Sequence, residues 1–189
     1  NIDPNKIENL ITDKTKAVYL VHHGGNPADL EPLKHITKKH GIVLVEDAAH
    51  ALGAEYKGEK IGANSDLACF SFSTLKNIST LGEGGMLVTN NEKYAELAKG
   101  FRSNFPSGLK VKRNVDNLGK YPKSENPYLN MGDAWDYNWE NLNEMGSTYR
   151  LSTVQAAVGR VQLKKLDSLI QKRSEIAEQY NQTITEIEG

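Results

Sequence analysis

"AVYLVHHGGNPADLEPLKHITKKHGIVLVED" (residues 17–47) holds two short apolar runs separated by a segment with a different rhythm. The first run, Ala17 to Val21, has the length and the β-branched content of a buried strand. Leu30, Leu33 and Ile36 then recur at helical spacing, and His40 and Gly41 supply a stop before the second strand, "IVLVE". Strands joined through a helix need a crossover connection, so the two are expected to lie parallel in one sheet. An α/β fold follows, with a mainly parallel sheet flanked by helices.

Working outward, Asp3 and Pro4 read as the N-cap and first residue of a short helix reaching about Ile11. Beyond Asp47, "AAHALG" reads as a short helical segment and "YKGEKIG" as a hairpin turn. "LACFSF" and "GMLVT" are two further strand candidates. Thr89 and Glu92 have capping-box spacing for a helix to about Arg102. Ser152 and Gln155 have the same spacing, and Val154, Ala157, Val158, Val161 and Leu166 follow on one face. One long amphipathic helix is expected there, to about Gln179. The stretch 121–146 contains both tryptophans and three tyrosines among many Asn, Asp and Glu, and its length fits a lid, an interface segment or a plain surface insertion.

The chain has 189 residues, 38% of them hydrophobic and 25% charged, enough for one sizeable core. Its net charge of -1 and pI near 6.6 exert no overall pull toward nucleic acid or an anionic membrane, so neither is expected as a partner. The lone Cys69 excludes an intrachain disulfide and is compatible with a cytoplasmic location. The apolar runs are far too short to span a bilayer. The chain begins at Asn1 without an initiator Met and ends in a helical pattern at Gly189, as expected for part of a longer protein.

Two residues stand out for chemistry. Asp47 closes the strand "IVLVE", and in open α/β sheets ligands collect outside the carboxyl ends of strands. The plainer reading of Asp47 is a cap on the turn that follows. Lys76 lies in "CFSFSTLKNISTLGEGGMLV" (69–88), between an apolar run and a glycine cluster that permits close backbone approach. An amine taken partly out of water gives up its proton more readily and attacks aldehydes. A buried lysine together with a carboxylate at a strand end suits pyridoxal phosphate, whose aldehyde bonds the amine and whose ring nitrogen pairs with the carboxylate.

"VEDAAHALGAEYKGEKIGANSDLACFSFSTLKNISTLGEGGMLVT" closely resembles the DegT/DnrJ/EryC1/StrS family of sugar aminotransferases. "NIDPNKIENLITDKTKAVYLVHHGGNPADL" and "YRLSTVQAAVGRVQLKKLD" are similar to its preceding and following blocks. The resemblance implies the aspartate-aminotransferase fold (fold type I), pyridoxal 5'-phosphate as cofactor, and a homodimer with active sites at its interface. It implies that an amino group moves from glutamate to a keto group of a nucleotide-linked sugar. Residues 1–150 would be the central part of the cofactor-binding large domain. Residues 151–189 would form a helix leading toward a small domain outside this chain. The upstream phosphate loop and ring-stacking aromatic of the family also lie outside the match.

By the same resemblance Lys76 corresponds to the lysine bonded to the cofactor and Asp47 to the partner of the pyridine nitrogen. His50 stands near the ring hydroxyl, Ala49 against a ring face, and Ser71 at the phosphate. Thr148, in "GSTYR", stands where an Asn often reaches the cofactor phosphate across the dimer. Ser73 departs from the aromatic or His often found at its place. Retention of Lys76 points to transamination, since relatives that are dehydratases replace it, often by His. Taken singly, Ser71 and His50 also read as a strand hydroxyl and a surface imidazole, and Ala49 as ordinary packing.

Other functions fit parts of the pattern. "VHHGGNPAD" joins a strand to a helix, with Glu46 and Asp47 about twenty residues on, as in a nicotinamide-binding unit, but no G-x-G-x-x-G is present. A non-catalytic or regulatory protein with the same fold is another alternative. No metal site is expected: adjacent His22 and His23 face opposite ways on a strand, and His22 fits a pocket or structural place.

Overall fold

The computed structural model describes residues 1–102 and 148–188, and the 121–146 stretch lies outside them. The chain divides into two compact units, residues 1–92 with 151–189, and residues 93–150.

The first unit is built on a four-stranded sheet. Strands β1 (Ala17–Val21), β2 (Val43–Asp47) and β5 (Leu67–Ser71) run parallel, and β6 (Gly85–Val88) closes the edge antiparallel to β5, in the order β1-β2-β5-β6. Helix α2 (Leu30–His40) makes the crossover from β1 to β2. Its Leu30, Leu33 and Ile36 are buried with Val18 and Leu20 of β1 and Leu44 of β2. Gly41 ends the helix as the sequence suggested, its N–H donating to the carbonyls of Lys38 and Thr37.

Both long strands alternate in burial. The expectation of a fully buried first strand is therefore corrected: Val18 and Leu20 face the core, while Tyr19 is 59% exposed. Five consecutive apolar residues hid a period of two. In β2 the same alternation turns Leu44 and Glu46 into the core and leaves Val43, Val45 and Asp47 half-buried on the other side.

Three further expectations change. "AAHALG" forms two successive turns instead of a helix, closed by Ala51 N–H to the Ala48 carbonyl and Ala54 N–H to the Ala51 carbonyl. Gly53, in the second turn, has φ +88, which is not helical and which residues with a Cβ rarely adopt, and a Cβ there would press on the tip of the Ile170 side chain. The C-terminal helix is two helices, α4 (Thr153–Leu163) and α5 (Leu166–Glu188), and it runs past Gln179. Of its apolar positions, Leu166 is buried with Phe72 and Ile78, while Val154 and Val161 are exposed. Finally, α3 (Glu92–Arg102) begins at Glu92, so Thr89 lies outside it. The Thr89 hydroxyl accepts from Asn91 N–H at 3.0 Å and donates to the Asp66 carbonyl.

The remaining elements follow the sequence reading. Asp3 caps α1 (Pro4–Ile7), which continues as a 3-10 turn over Glu8–Leu10. Strands β3 (Glu55–Tyr56) and β4 (Glu59–Lys60) form the hairpin. At α4, Ser152 and Gln155 form the full reciprocal capping box. Among the described residues no helix is long and apolar enough to cross a membrane.

Candidate active site

Strands β2 and β5 end side by side, with Asp47 opposite Cys69. The ladder continues one rung further: His22 N–H donates to the Asp47 carbonyl at 3.1 Å and Ala48 N–H to the Cys69 carbonyl at 2.8 Å. The chain bends after both strands: Asp47 and Ser71 are the last residues of β2 and β5, Ala49 and His50 lie in the turn after Asp47, and Lys76 lies in the bend after Ser71, all within the first unit.

Asp47 is both a cap and a displayed carboxylate. Its Oδ1 accepts from Ala49 N–H at 3.0 Å and its Oδ2 from the Tyr19 hydroxyl at 3.2 Å. These bonds fix the carboxylate plane and leave each oxygen a free lone pair. Its charge is felt nearby. The Tyr19 phenol is held above its ordinary range, mainly by lost hydration and then by Asp47, and the Cys69 thiol is raised by burial and then by Asp47.

Lys76 sits in the bend after β5, where its N–H donates to the Ser73 carbonyl at 3.0 Å. The residue is half-buried, and among the described residues its amine makes no hydrogen bond or ion pair. The bend itself is firmly held. Phe72 N–H donates to the Gly84 carbonyl at 2.7 Å, Thr80 N–H to the Phe72 carbonyl at 3.1 Å, and Thr80 is fully buried. A Cβ on Gly84 would collide with the Thr80 hydroxyl, which accounts for a glycine in "GEGG". Gln155 of α4 donates to the Glu83 carbonyl at 3.0 Å and docks that helix on the same loop.

Ser71 is half-buried at the end of β5, and its hydroxyl oxygen receives only a long contact, 3.4 Å, from Ser73 N–H, so its proton is available to a ligand. Ala49 is half-buried in the turn after Asp47. His50 is exposed, its ring edge-on to His23 with centroids 6.5 Å apart. Thr148 is exposed and belongs to the second unit.

Behind Asp47, on the opposite face of β2, lies a buried polar network that sequence reasoning missed. His22 and Glu46 are fully buried, with Nε2 of His22 3.1 Å from Oε2 of Glu46. Nδ1 of His22 accepts from Ala28 N–H at 3.0 Å, so the ring proton is on Nε2 and is donated to Glu46. The Ser65 hydroxyl donates to the other Glu46 oxygen. The signal available in the sequence was parity: Glu46 is two residues from Leu44, on the core side of the strand. Among the described residues no group of His, Cys, Asp and Glu could hold a metal ion.

The donor set fits pyridoxal phosphate. Asp47 offers a carboxylate to a cationic ring nitrogen, Lys76 an amine without a partner among the described residues to an aldehyde, and Ser71 a hydroxyl to a phosphate.

Comparison with known proteins agrees with this chemistry. The profile of the DegT/DnrJ/EryC1/StrS aminotransferase family matches residues 1–189. The uncharacterized protein MJ1066 of Methanocaldococcus jannaschii is 40% identical over 189 residues, which are all of this chain and 44% of that protein. DesV of S. venezuelae, solved with a ketimine intermediate, is 35% identical with a TM-score of 0.72, over 95% of this chain and 40% of DesV. Helicobacter pylori PseC, an aminotransferase involved in the biosynthesis of pseudoaminic acid, is 32% identical with a TM-score of 0.73, over 96% of this chain and 42% of PseC. The chain thus spans less than half the length of these relatives. It carries the α/β fold of the two solved structures. By fold and by a profile match along its whole length, the chain belongs to the DegT/DnrJ/EryC1/StrS aminotransferase family.

Proposed function

We propose that the protein containing this chain is a cytoplasmic, homodimeric pyridoxal phosphate-dependent aminotransferase that moves an amino group from glutamate to a keto group of a nucleotide-linked sugar. The observation that carries the reading is the half-buried Lys76, whose amine has no partner among the described residues, in the bend that follows β5, the strand paired with the one that ends in the oriented carboxylate of Asp47.

Pyridoxal phosphate, when bound, supplies an aldehyde carbon that bonds amines and a ring that draws electrons from that carbon. Lys76 would hold the cofactor through Nζ, and the same amine, when free, would take the proton from the α-carbon of the amino donor. Asp47 keeps a charge against the ring nitrogen, with Tyr19 and Ala49 fixing its direction. Ser71 would donate its hydroxyl to the phosphate, and Ala49 would pack against the ring. His50 would stand near the ring hydroxyl, and Thr148 would serve the phosphate of the other subunit. The retained lysine favours transamination over dehydration.

The test is an absorption spectrum of the full chain with pyridoxal phosphate, before and after borohydride, beside Lys76→Ala. A visible band and a reduced adduct located on Lys76 are expected, both lost in the variant. Glutamate should bleach the band, and a keto-sugar nucleotide should restore it. Sedimentation of the same sample should give twice the chain mass. Well-folded protein that forms no adduct at Lys76 would overturn the assignment.

A further inference from the structure

The residue after the lysine makes a pair of contacts that the chemistry above does not use. Asn77 is half-buried, and its amide nitrogen donates to the Leu52 carbonyl at 3.0 Å. Its amide oxygen accepts from the guanidinium of Arg173 on α5, 96 residues further along the chain. A carbonyl only accepts and a guanidinium only donates, so the amide cannot flip without losing both bonds. Arg173 therefore sets the direction in which Asn77 reaches.

What Asn77 reaches is the Asp47 side of the site. Leu52 lies in the second of the two turns that follow Asp47, and the first of them is pinned by Ala49 N–H on Oδ1. Directly below, Ile78 is buried with Phe72 and Leu166, and Leu52, Leu169 and Ile170 pack against them. The bend that carries Lys76 is thus tied to the turn after Asp47 and to α5 through one side chain.

We propose that Asn77, oriented by Arg173, is a positioning residue that sets the separation of Lys76 from Asp47. The inference rests on the reading of those two residues as the groups that hold opposite ends of one cofactor. A rigid aromatic ring cannot adapt its length, and a misplacement of about 1 Å between reacting groups can cost about a hundredfold in rate.

The experiment compares the full chain with Asn77→Ala, Arg173→Ala, Arg173→Lys and the double alanine variant. Amide hydrogen exchange without cofactor reads the bend directly. Exchange at Lys76 and Thr80 should rise about tenfold in both single alanine variants while the Leu20 and Leu44 amides keep their protection. The rate at which pyridoxal phosphate forms a borohydride-stable adduct on Lys76 should fall about tenfold in the same variants. The double variant should be no slower than Asn77→Ala, and Arg173→Lys, which keeps a donor, should recover much of the rate. Arg173 is exposed, so its variants test the idea even where Asn77→Ala folds poorly. Unchanged exchange at Lys76, or single effects that multiply in the double variant, would overturn the proposal. Failure of the unmodified chain to form the adduct sinks the assignment of Lys76 instead, and the exchange data still decide whether Asn77 holds the bend.

Discussion

Asp47 has two neighbours that report its charge, the phenol of Tyr19 and the thiol of Cys69. The phenol of Tyr19 and the thiol of Cys69 are both raised, with lost hydration as the larger cause and Asp47 as the next. Asp47→Asn keeps the shape and removes the charge, so the Tyr19 midpoint should fall toward, without reaching, its ordinary value. The Cys69 midpoint should fall in the same sense. At a fixed mildly alkaline pH more of Cys69 is then thiolate, and iodoacetamide should alkylate it faster in Asp47→Asn than in the parent. Tyrosine titration by NMR and timed alkylation measure the two shifts. If neither moves, Asp47 is not the charged neighbour that its geometry makes it.

At the scale of elements, the His22–Glu46–Ser65 network joins the end of β1, the core face of β2 and the entry to β5. Breaking one side of a buried carboxylate's partnership costs far more than an exposed pair is worth, about 3 kcal/mol. His22→Ala should therefore lower the denaturant midpoint strongly. Adding Glu46→Leu should cost less than it does alone, because the carboxylate left short of a donor is gone. Simple addition of the two effects would mean that the residues act separately. Of this network, the core side of Glu46 was legible in the parity of its strand and a structural place for His22 was expected, whereas the bond between them was not. The α2 face was, since Leu30, Leu33 and Ile36 repeat at the helical period and nothing in "LEPLKHITKKH" competes. The placement of Asp47 at a strand end and of Lys76 between a strand and a glycine cluster was legible because apolar runs and glycines mark both places locally. Glu46 bonds across 24 residues to His22, and Asn77 across 96 to Arg173, separations at which no local pattern survives. The double turn after Asp47 was misread for a related reason: the side chain that a Cβ on Gly53 would press on is Ile170, far away in the chain.

At the scale of the whole molecule, binding and stability are linked. A ligand that binds only the folded chain, at about a hundred times its dissociation constant, adds about 2.7 kcal/mol of stability. Pyridoxal phosphate should accordingly raise the melting temperature of the full chain with concentration, and Lys76→Ala should weaken the rise. A melting temperature indifferent to pyridoxal phosphate over its whole range would contradict the proposed cofactor. The chain also places two acids back to back in β2, Glu46 toward the core and Asp47 toward the ligand side. That arrangement makes the molecule sensitive to length. One residue inserted between α2 and β2 would bring Glu46 to the ligand side and set Val45 against His22; one residue deleted would drop Asp47 into the core and leave Ala48 in its place. Homologous chains should therefore vary freely in length at the β3–β4 hairpin and keep a constant count of residues from Gly41 to Asp47, a rule of inheritance written by the pleat of one strand.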